Sequence, residues 1–525
     1  MADLTHDLLA QGLELRETHI SRVFLGERRV YKVKKPVDLG FLDFRSLRAR
    51  KADCEREVEL NRRLAPRVYL RVAPITRDAR GVHRIDGEGE PVEWAVEMVR
   101  LPDAHAADRM LAEGRLQRGA LRTLAARLAS FHATARCDGE TSSYGAVAVI
   151  ERNVRENFDQ TRQSAPHYLS PREVSDIERW QLDFLRDHRD RFERRVREGR
   201  VRDGHGDLRL EHCYFDPDAT PGAPPYARVE VIDCIEFNER FRYGDVCADI
   251  AFLAMDLAQH GRTDLAEAFL ADYARASGDW DLYGLVDFYE SYRAHVRAKV
   301  GSFLADDVHA PPEVRQRAAE QAREFYLLAE ACTREALEPR ALVAVGGVIA
   351  SGKSSVAEAL SSLIDAPVID ADRTRKQLAG VGPDTPLRDG AFAGHYTAEA
   401  TEQVYAELLR RAEVVLRSGR PVILDASFRR AAHREAARAL AQRLGVPFRF
   451  GHCQAPLPVL RARLTRRAEG RSVSDGRQEI LEDFVASWEP CEELDAAEWV
   501  ALDTRGDADA AARRLAERLP EKSPV

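Results

Sequence analysis

The sequence predicts two architectures in succession: an α+β half over residues 1–335 and an α/β half from residue 341 onward. Three observations carry this. Residues 1–100 are rich in alternating, strand-type runs, residues 101–335 are dominated by apolar positions at 3.6-residue spacing, and from 341 short β-branched runs alternate with helical stretches. That last pattern is the mark of a parallel sheet covered on both faces. A chain of 525 residues is also too long for a single core.

Taken in order, ISRVFL, the turn GERR and VYKVK predict a β-hairpin over 20–34, which Pro36 ends because it has no N–H to give a ladder. A helix is expected over 46–64, with Leu47, Cys54, Val58 and Leu64 among its apolar positions, followed by strands at 68–75 and 92–99. Helical spacing then governs 116–135, 174–198 and 313–336. Two short apolar pieces, CYF at 213–215 and VEVID at 229–233, interrupt it. REALEPR at 334–340 reads as a linker. Beyond it, ALVAV, PVID at 367–370, PVILD at 421–425, FRFGHC at 448–453 and WVALD at 499–503 are the expected parallel strands. The domains predicted are 1–100, 101–335 and 341–525.

Composition excludes several classes. With 44% hydrophobic and 32% charged residues the chain has a globular balance. A net charge of −8 offers no chain-wide field to nucleic acid or anionic lipid. No uncharged apolar run approaches the roughly 20 residues that span a bilayer, so no membrane association is expected. The eight cysteines show no C-x-x-C pair, which argues for reduced thiols and against a zinc knuckle. The first residues lack the basic start and apolar run of a secretory leader, and the expected compartment is the cytoplasm.

Lysine is rare: only eight of the 79 basic residues are lysine, which makes its positions informative. One lies in Gly347-Val-Ile-Ala-Ser351-Gly352-Lys353-Ser354-Ser355, which fits G-x-x-x-x-G-K-[ST] between a strand and a helix. Glycines there let backbone N–H groups wrap phosphates at a helix N-terminus. Lys353 is expected on the β- and γ-phosphates of ATP and the Ser354 hydroxyl on Mg²⁺. Asp425, closing PVILD, is the expected carboxylate on the waters of that ion. Just past the second strand of this half, VIDADRTRKQL places Asp372 and Arg375 at the carboxyl edge, where ligands bind in open α/β sheets. A carboxylate there can accept a hydroxyl proton and an arginine can hold the acceptor. Residues 410–467 carry fourteen Arg against three acidic residues, a local excess of eleven that makes a polynucleotide acceptor possible.

These motifs resemble P-loop small-molecule and polynucleotide kinases of the gluconate-kinase and 5′-hydroxyl kinase type. Asp372 and Arg375 match their Asp-x-x-Arg acceptor element, and Asp425 matches their strand-end Asp. VLRARLTRR at 459–467, with Arg463 as a substrate-binding residue, matches their Arg-rich lid.

The other half holds a second set. VYKVKKPV at 30–37 puts Lys32 and Lys34 on one face of a strand, and HGDLRLEH at 205–212 precedes VID at 231–233. This resembles aminoglycoside and choline-type phosphotransferases of two-lobed, protein-kinase-like fold, whose motif is His-Gly-Asp with an Asn five residues later. The resemblance implies Asp207 as the base and Asp233 as the metal carboxylate, with a strand lysine on the phosphates paired to Glu57; between Lys32 and Lys34 the reading favours Lys34. Position 212 departs from the pattern: His212 stands where the family has a metal-binding Asn, and imidazole suits transition metals better than Mg²⁺. Asp245 and Asp249 are expected to buttress the loop. The order of segments resembles bacterial fusions of an aminoglycoside-phosphotransferase-like domain to a P-loop kinase.

The expectation is an ATP- and Mg²⁺-dependent phosphotransferase acting on a small-molecule or polynucleotide hydroxyl, with no obligate protein partner. The P-loop half is favoured as the active kinase, and the first half is a second kinase or a substrate-positioning module. Two alternatives are a 5′-hydroxyl polynucleotide kinase and a regulatory protein pairing a pseudokinase half with a hydrolytic P-loop switch. Aminoglycosides, being polycationic, would need an acidic cleft.

Overall fold

A computed structural model describes residues 4–18, 20–38, 43–216, 228–334, 340–387, 389, 392–468 and 478–520. The expected linker therefore lies almost wholly outside the described residues, as does the side chain of Arg467 in the Arg-rich segment. The chain divides into two compact units, 1–262 with 289–330 and 263–288 with 331–525. Residues 263–288, which the sequence reading gave to the helical region, thus group with the P-loop unit.

The first unit has two lobes, one built on a six-stranded antiparallel sheet and one helical. Its sheet runs β1 (Glu14–Glu17), β2 (Ser21–Leu25), β3 (Arg29–Lys34), β4 (Tyr69–Arg77), β5 (His83–Ile85) and β6 (Pro91–Val99) in spatial order β1-β2-β3-β6-β4-β5, antiparallel throughout. The helix Leu47–Asn61 crosses its face. Ser46 caps it by accepting the Ala49 N–H, and Cys54 and Val58 pack against Tyr69, Val96 and Met98. Each large aliphatic buried there contributes roughly 1.5–3 kcal/mol. The second lobe is helical. The stretch 174–198, expected as one helix, is two, Pro171–Asp187 and Arg189–Arg197. Within it sit two small ladders, β7 (Val201–Asp203) with β10 (Tyr243–Asp245), and β8 (Cys213–Phe215) with β9 (Val229–Val231). They frame the His205–His212 loop.

The second unit is a five-stranded parallel sheet of β11 (Leu342–Gly346), β12 (Val368–Asp370), β13 (Val422–Asp425), β14 (Phe448–Gln454) and β15 (Trp499–Asp503), ordered β12-β13-β11-β14-β15. Its strands are near-continuous apolar runs because helices cover both faces. Val343, Val345, Val356, Leu360 and Leu515 form the centre of that core. No helix among the described residues is long and apolar enough to cross a membrane, and the described cysteines form no disulfide.

Candidate functional site

In the P-loop unit, β11 delivers the chain into Gly347–Gly352, and the helix Lys353–Ile364 leaves it. The loop demands its glycines. Gly347 has φ +142°, and a Cβ there would lie 2.5 Å from the Cys453 carbonyl and 2.6 Å from Ser351 Oγ; Gly352 has φ +90°. Ala350 adopts φ +61°, a conformation that costs a non-glycine residue about 1 kcal/mol or more. Ser351 Oγ is buried without a hydrogen-bond partner in this cradle. Lys353 Nζ donates to the Val348 carbonyl at 3.1 Å, across the hollow.

Asp425 ends β13 beside the loop. Its buried carboxyl is raised, chiefly by burial, against the pull of Lys353 and a hydrogen bond from Ser354. A carboxylate beside a serine hydroxyl offers the oxygen donors that a hard divalent cation takes. Asp372 is close enough to raise Asp425 further, so the expected acceptor carboxylate and metal carboxylate share one edge of the sheet. Asp372 is half-buried, whereas Arg375 is buried, donating to the His395 carbonyl and lying 4.5 Å above the Tyr396 ring. Arg463, expected at the acceptor, sits instead on the phosphate loop. It donates to the Ala350 carbonyl at 3.1 Å and to the Thr504 carbonyl. A cavity of about 440 Å³ opens there, lined by Gly352, Ser355, Arg463, Arg466, Thr504 and neighbouring small residues. Thr504, which the sequence reading missed, closes it by donating to the Ser351 carbonyl at 2.6 Å.

In the first unit, the residues expected from HGDLRLEH and VID converge. The loop is hung from Asp249, whose carboxylate accepts the N–H groups of His205 at 2.7 Å and Gly206 at 2.8 Å. Gly204 and Gly206 are required by space: a Cβ on Gly204 would meet Asp249 Oδ2 at 2.4 Å, and one on Gly206 (φ +86°) the Phe241 carbonyl at 2.7 Å. Asp245 caps the helix Val246–Gln259 and is gripped by Arg195 at 2.6 and 2.8 Å. Asp207 is held by the Arg209 fork at 3.1 Å. Burial would raise its pKa, but Arg209 and His212 outweigh it and hold the carboxyl at about 2. His212 Nδ1 approaches the Asp207 carbonyl at 2.8 Å, which leaves Nε2 facing Asp233 Oδ2 at 3.6 Å. Asp233 itself adopts φ +62°, its N–H given to the Tyr69 hydroxyl at 3.1 Å.

The two lysines separate cleanly, and against the expectation that favoured Lys34. Lys32 Nζ reaches Glu57 at 2.9 Å and Asp233 at 2.8 Å, and its side chain keeps some exposure. Lys34 is fully buried, bound to Asp53 at 2.9 Å, Glu57 at 2.6 Å and Glu236. Burial opposes both ammonium charges, but the surrounding carboxylates win and raise both pKa values. For Glu236 burial dominates, pushing it up to about 7 despite Lys34. Lys32 therefore addresses Asp233, the carboxylate expected to face a metal, while Lys34 is an internal cation bound to three acids. Asp53, Glu236 and Arg209 were not anticipated. For Glu236 the only signal was its place three residues after Asp233.

The +11 segment is largely neutralised. Arg410 and Arg411 bind Glu407, Arg417 and Arg443 bind Glu413, Arg434 binds Glu493 and Arg438 binds Glu498.

Residues 342–491 match the model of a family described as an AAA domain. Among solved structures, a gluconokinase from Sinorhizobium meliloti 1021 is 25% identical, covers 35% of this chain and 96% of its own, and has a TM-score of 0.25. The GDP complex of aminoglycoside 2′-phosphotransferase-IIIa is 15% identical, covers 62% of this chain and 97% of its own, and has a TM-score of 0.36. Two relatives, the uncharacterized protein Rv2004c of Mycobacterium tuberculosis (strain H37Rv) and the uncharacterized protein Mb2027c of Mycobacterium bovis, are each 34% identical over 488 residues, 92% of this chain and 92% of theirs. With that identity over nearly its whole length, the chain belongs to the family of these mycobacterial proteins.

Proposed function

We propose that the protein is an ATP- and Mg²⁺-dependent phosphotransferase acting on a hydroxyl acceptor, with the P-loop unit as the active kinase. The observation that carries this reading is the shared edge of the parallel sheet. There the glycine cradle with Lys353, the Asp425–Ser354 pair and the half-buried Asp372 stand together. ATP would take its phosphates along the loop N–H groups and Lys353, with its nucleoside in the cavity of Ser355, Arg463 and Thr504. Ser354 and Asp425 would hold Mg²⁺, which supplies charge neutralisation at the phosphates when bound. Asp372 would orient the acceptor hydroxyl and take its proton, and Arg375 would fix the wall of the acceptor site from beneath. Nearly all the work is positioning and electrostatics.

The first unit is read as a second ATP site: Lys32 on the phosphates, Glu57 orienting it, Asp233 and His212 Nε2 toward the metal, and Asp207 at the acceptor. An imidazole in the ligand set favours Mn²⁺ or a later transition ion over Mg²⁺. The ion pairs in 410–467 lend no support to a polynucleotide acceptor, and the arginine on Asp207 none to a polycationic one.

The test is an acceptor screen with wild-type protein and Asp372→Asn, over sugars, nucleosides, aminoglycosides and a 5′-hydroxyl oligonucleotide, measuring ATP consumed. The reading expects stimulation by a small neutral or anionic alcohol, lost by about 100-fold or more in Asp372→Asn. ATP hydrolysis indifferent to every acceptor and to Asp372→Asn would favour the regulatory switch.

A further inference from the structure

We propose that Arg275 is a positioning residue of the P-loop reaction, bridging the phosphate-loop helix to the start of the acceptor helix; this rests on the kinase reading of that unit. Arg275 lies in the helix Thr263–Ser277, and residues 263–288 belong to the P-loop unit although the chain on either side of them belongs to the first. The segment is firmly seated. Trp280, Leu282, Tyr283, Leu285 and Phe288 are buried, Arg420 grips Glu267 at 2.8 Å and Asp287 at 3.0 Å, and Arg410 reaches Asp281 at 2.8 Å. Gly278, at φ +70°, passes so close to the acceptor helix that a Cβ would stand 2.8 Å from Gln377 Nε2.

From that seat the guanidinium makes two connections. Nη1 donates to Glu358 Oε2 at 2.9 Å, on the helix that begins at Lys353. Nε stands 3.6 Å from Asp370 Oδ2, and Arg373 Nε stands 3.5 Å from the same oxygen. Asp370 caps the helix Ala371–Leu378 by accepting the Arg373 N–H at 2.8 Å, and that helix carries Asp372 and Arg375. Asp370 is also the register partner of Asp425, so two buried carboxylates end adjacent strands. Arg275 and Arg373 answer Asp370, which leaves Asp425 facing Lys353 and Ser354. A planar fork can join Glu358 and Asp370 at once, whereas an ammonium is a single point charge. Arg275 acts through these groups and holds the acceptor helix in register with the phosphate loop.

The test uses the full chain carrying Asp207→Ala, so that turnover reports the P-loop unit, and compares Arg275→Ala and Arg275→Lys. ATP turnover is measured with the acceptor found in the screen, or with water as acceptor, together with KM for ATP. The expected result is a kcat lower by about 10- to 100-fold in Arg275→Ala, KM for ATP within about threefold of the parent, and partial recovery in Arg275→Lys. Turnover abolished by Lys353→Ala but indifferent to Arg275→Ala overturns this inference alone. So does a fall in thermal stability that matches the loss of turnover and that Arg275→Lys does not relieve. Turnover that survives Lys353→Ala overturns the P-loop reading and this inference with it.

Discussion

Two lysines on one strand face do different work, because their neighbours differ by one layer of depth. Period-2 alternation puts Lys32 and Lys34 on the same side of β3, so no sequence pattern can rank them. Burial and partners do: Lys34 is enclosed by Asp53, Glu57 and Glu236, whereas Lys32 stands between Glu57 and Asp233. Lys34→Ala leaves buried Asp53 and Glu236 without their lysine and Glu57 with Lys32 alone, and is expected to cost about 3–5 kcal/mol of first-unit stability, read as a fall in its thermal midpoint. Lys32→Ala is expected to keep the fold and weaken nucleotide binding by that unit; equal destabilisation by both would contradict the assignment. A third residue sets a pH dependence. His295 is buried, its Nε2 3.1 Å from Thr161 Oγ1, and burial together with Lys299 lowers its pKa to about 3. Unfolded, it binds a proton near pH 6.5, so the unfolded state takes up more protons between about 6.5 and 3. Stability is therefore full above that window and falls through it as pH drops, by about 1.4 kcal/mol per unit for this residue. His295→Leu should flatten the midpoint-against-pH curve over that range. An unchanged slope would show that the ring titrates normally.

At the level of elements, what hydrophobic period and turn chemistry specify was legible. The hairpin, the helix after Ser46, the helix over 116–135, the glycine cradle and all five parallel strands lie within a few residues of their expected places. Local pattern carries these because each depends on its own spacing of apolar residues, or on glycines with no room for a Cβ. What it does not carry is partnership at long range. The helical period of 263–288 is plain enough, but the body it packs on is decided by Arg420, Arg410 and a row of buried aromatics meeting residues over 90 positions away. The same holds for Arg463, whose lid-like sequence context says nothing of the Ala350 and Thr504 carbonyls it binds. The His205–His212 loop yields its own prediction. Asp249 holds the loop by two N–H acceptances, each charge-assisted and worth about 1.5–3 kcal/mol. In Asp249→Asn, hydrogen exchange at the His205 and Gly206 amides should quicken by about tenfold or more, with little change at β2 or β3. Protection that stays as in wild type would mean the loop is held by its ladders instead.

For the whole molecule, one chain carries two candidate phosphate-handling sites, and its likeness to the mycobacterial relatives runs over nearly its full length. The second unit takes residues 263–288 from within the stretch that otherwise builds the first. On the proposed reading each site has a lysine, a carboxylate for the metal (Asp425 buried, Asp233 partly exposed) and a separate carboxylate for the acceptor. The two differ in how their carboxylates are held. In the P-loop unit the half-buried Asp372 stands near Asp425, whereas in the first unit Asp207 is clasped by Arg209 and His212 replaces an amide. Phosphoryl transfer is proposed to belong to the P-loop unit. It is tested most directly by acceptor-stimulated ATP consumption in the full chain, comparing wild type with Lys353→Ala and Asp207→Ala. Lys353→Ala is expected to abolish the stimulated rate and Asp207→Ala to leave it largely intact. A stimulated rate that survives Lys353→Ala and disappears in Asp207→Ala would contradict it, and would place the chemistry in the kinase-like unit.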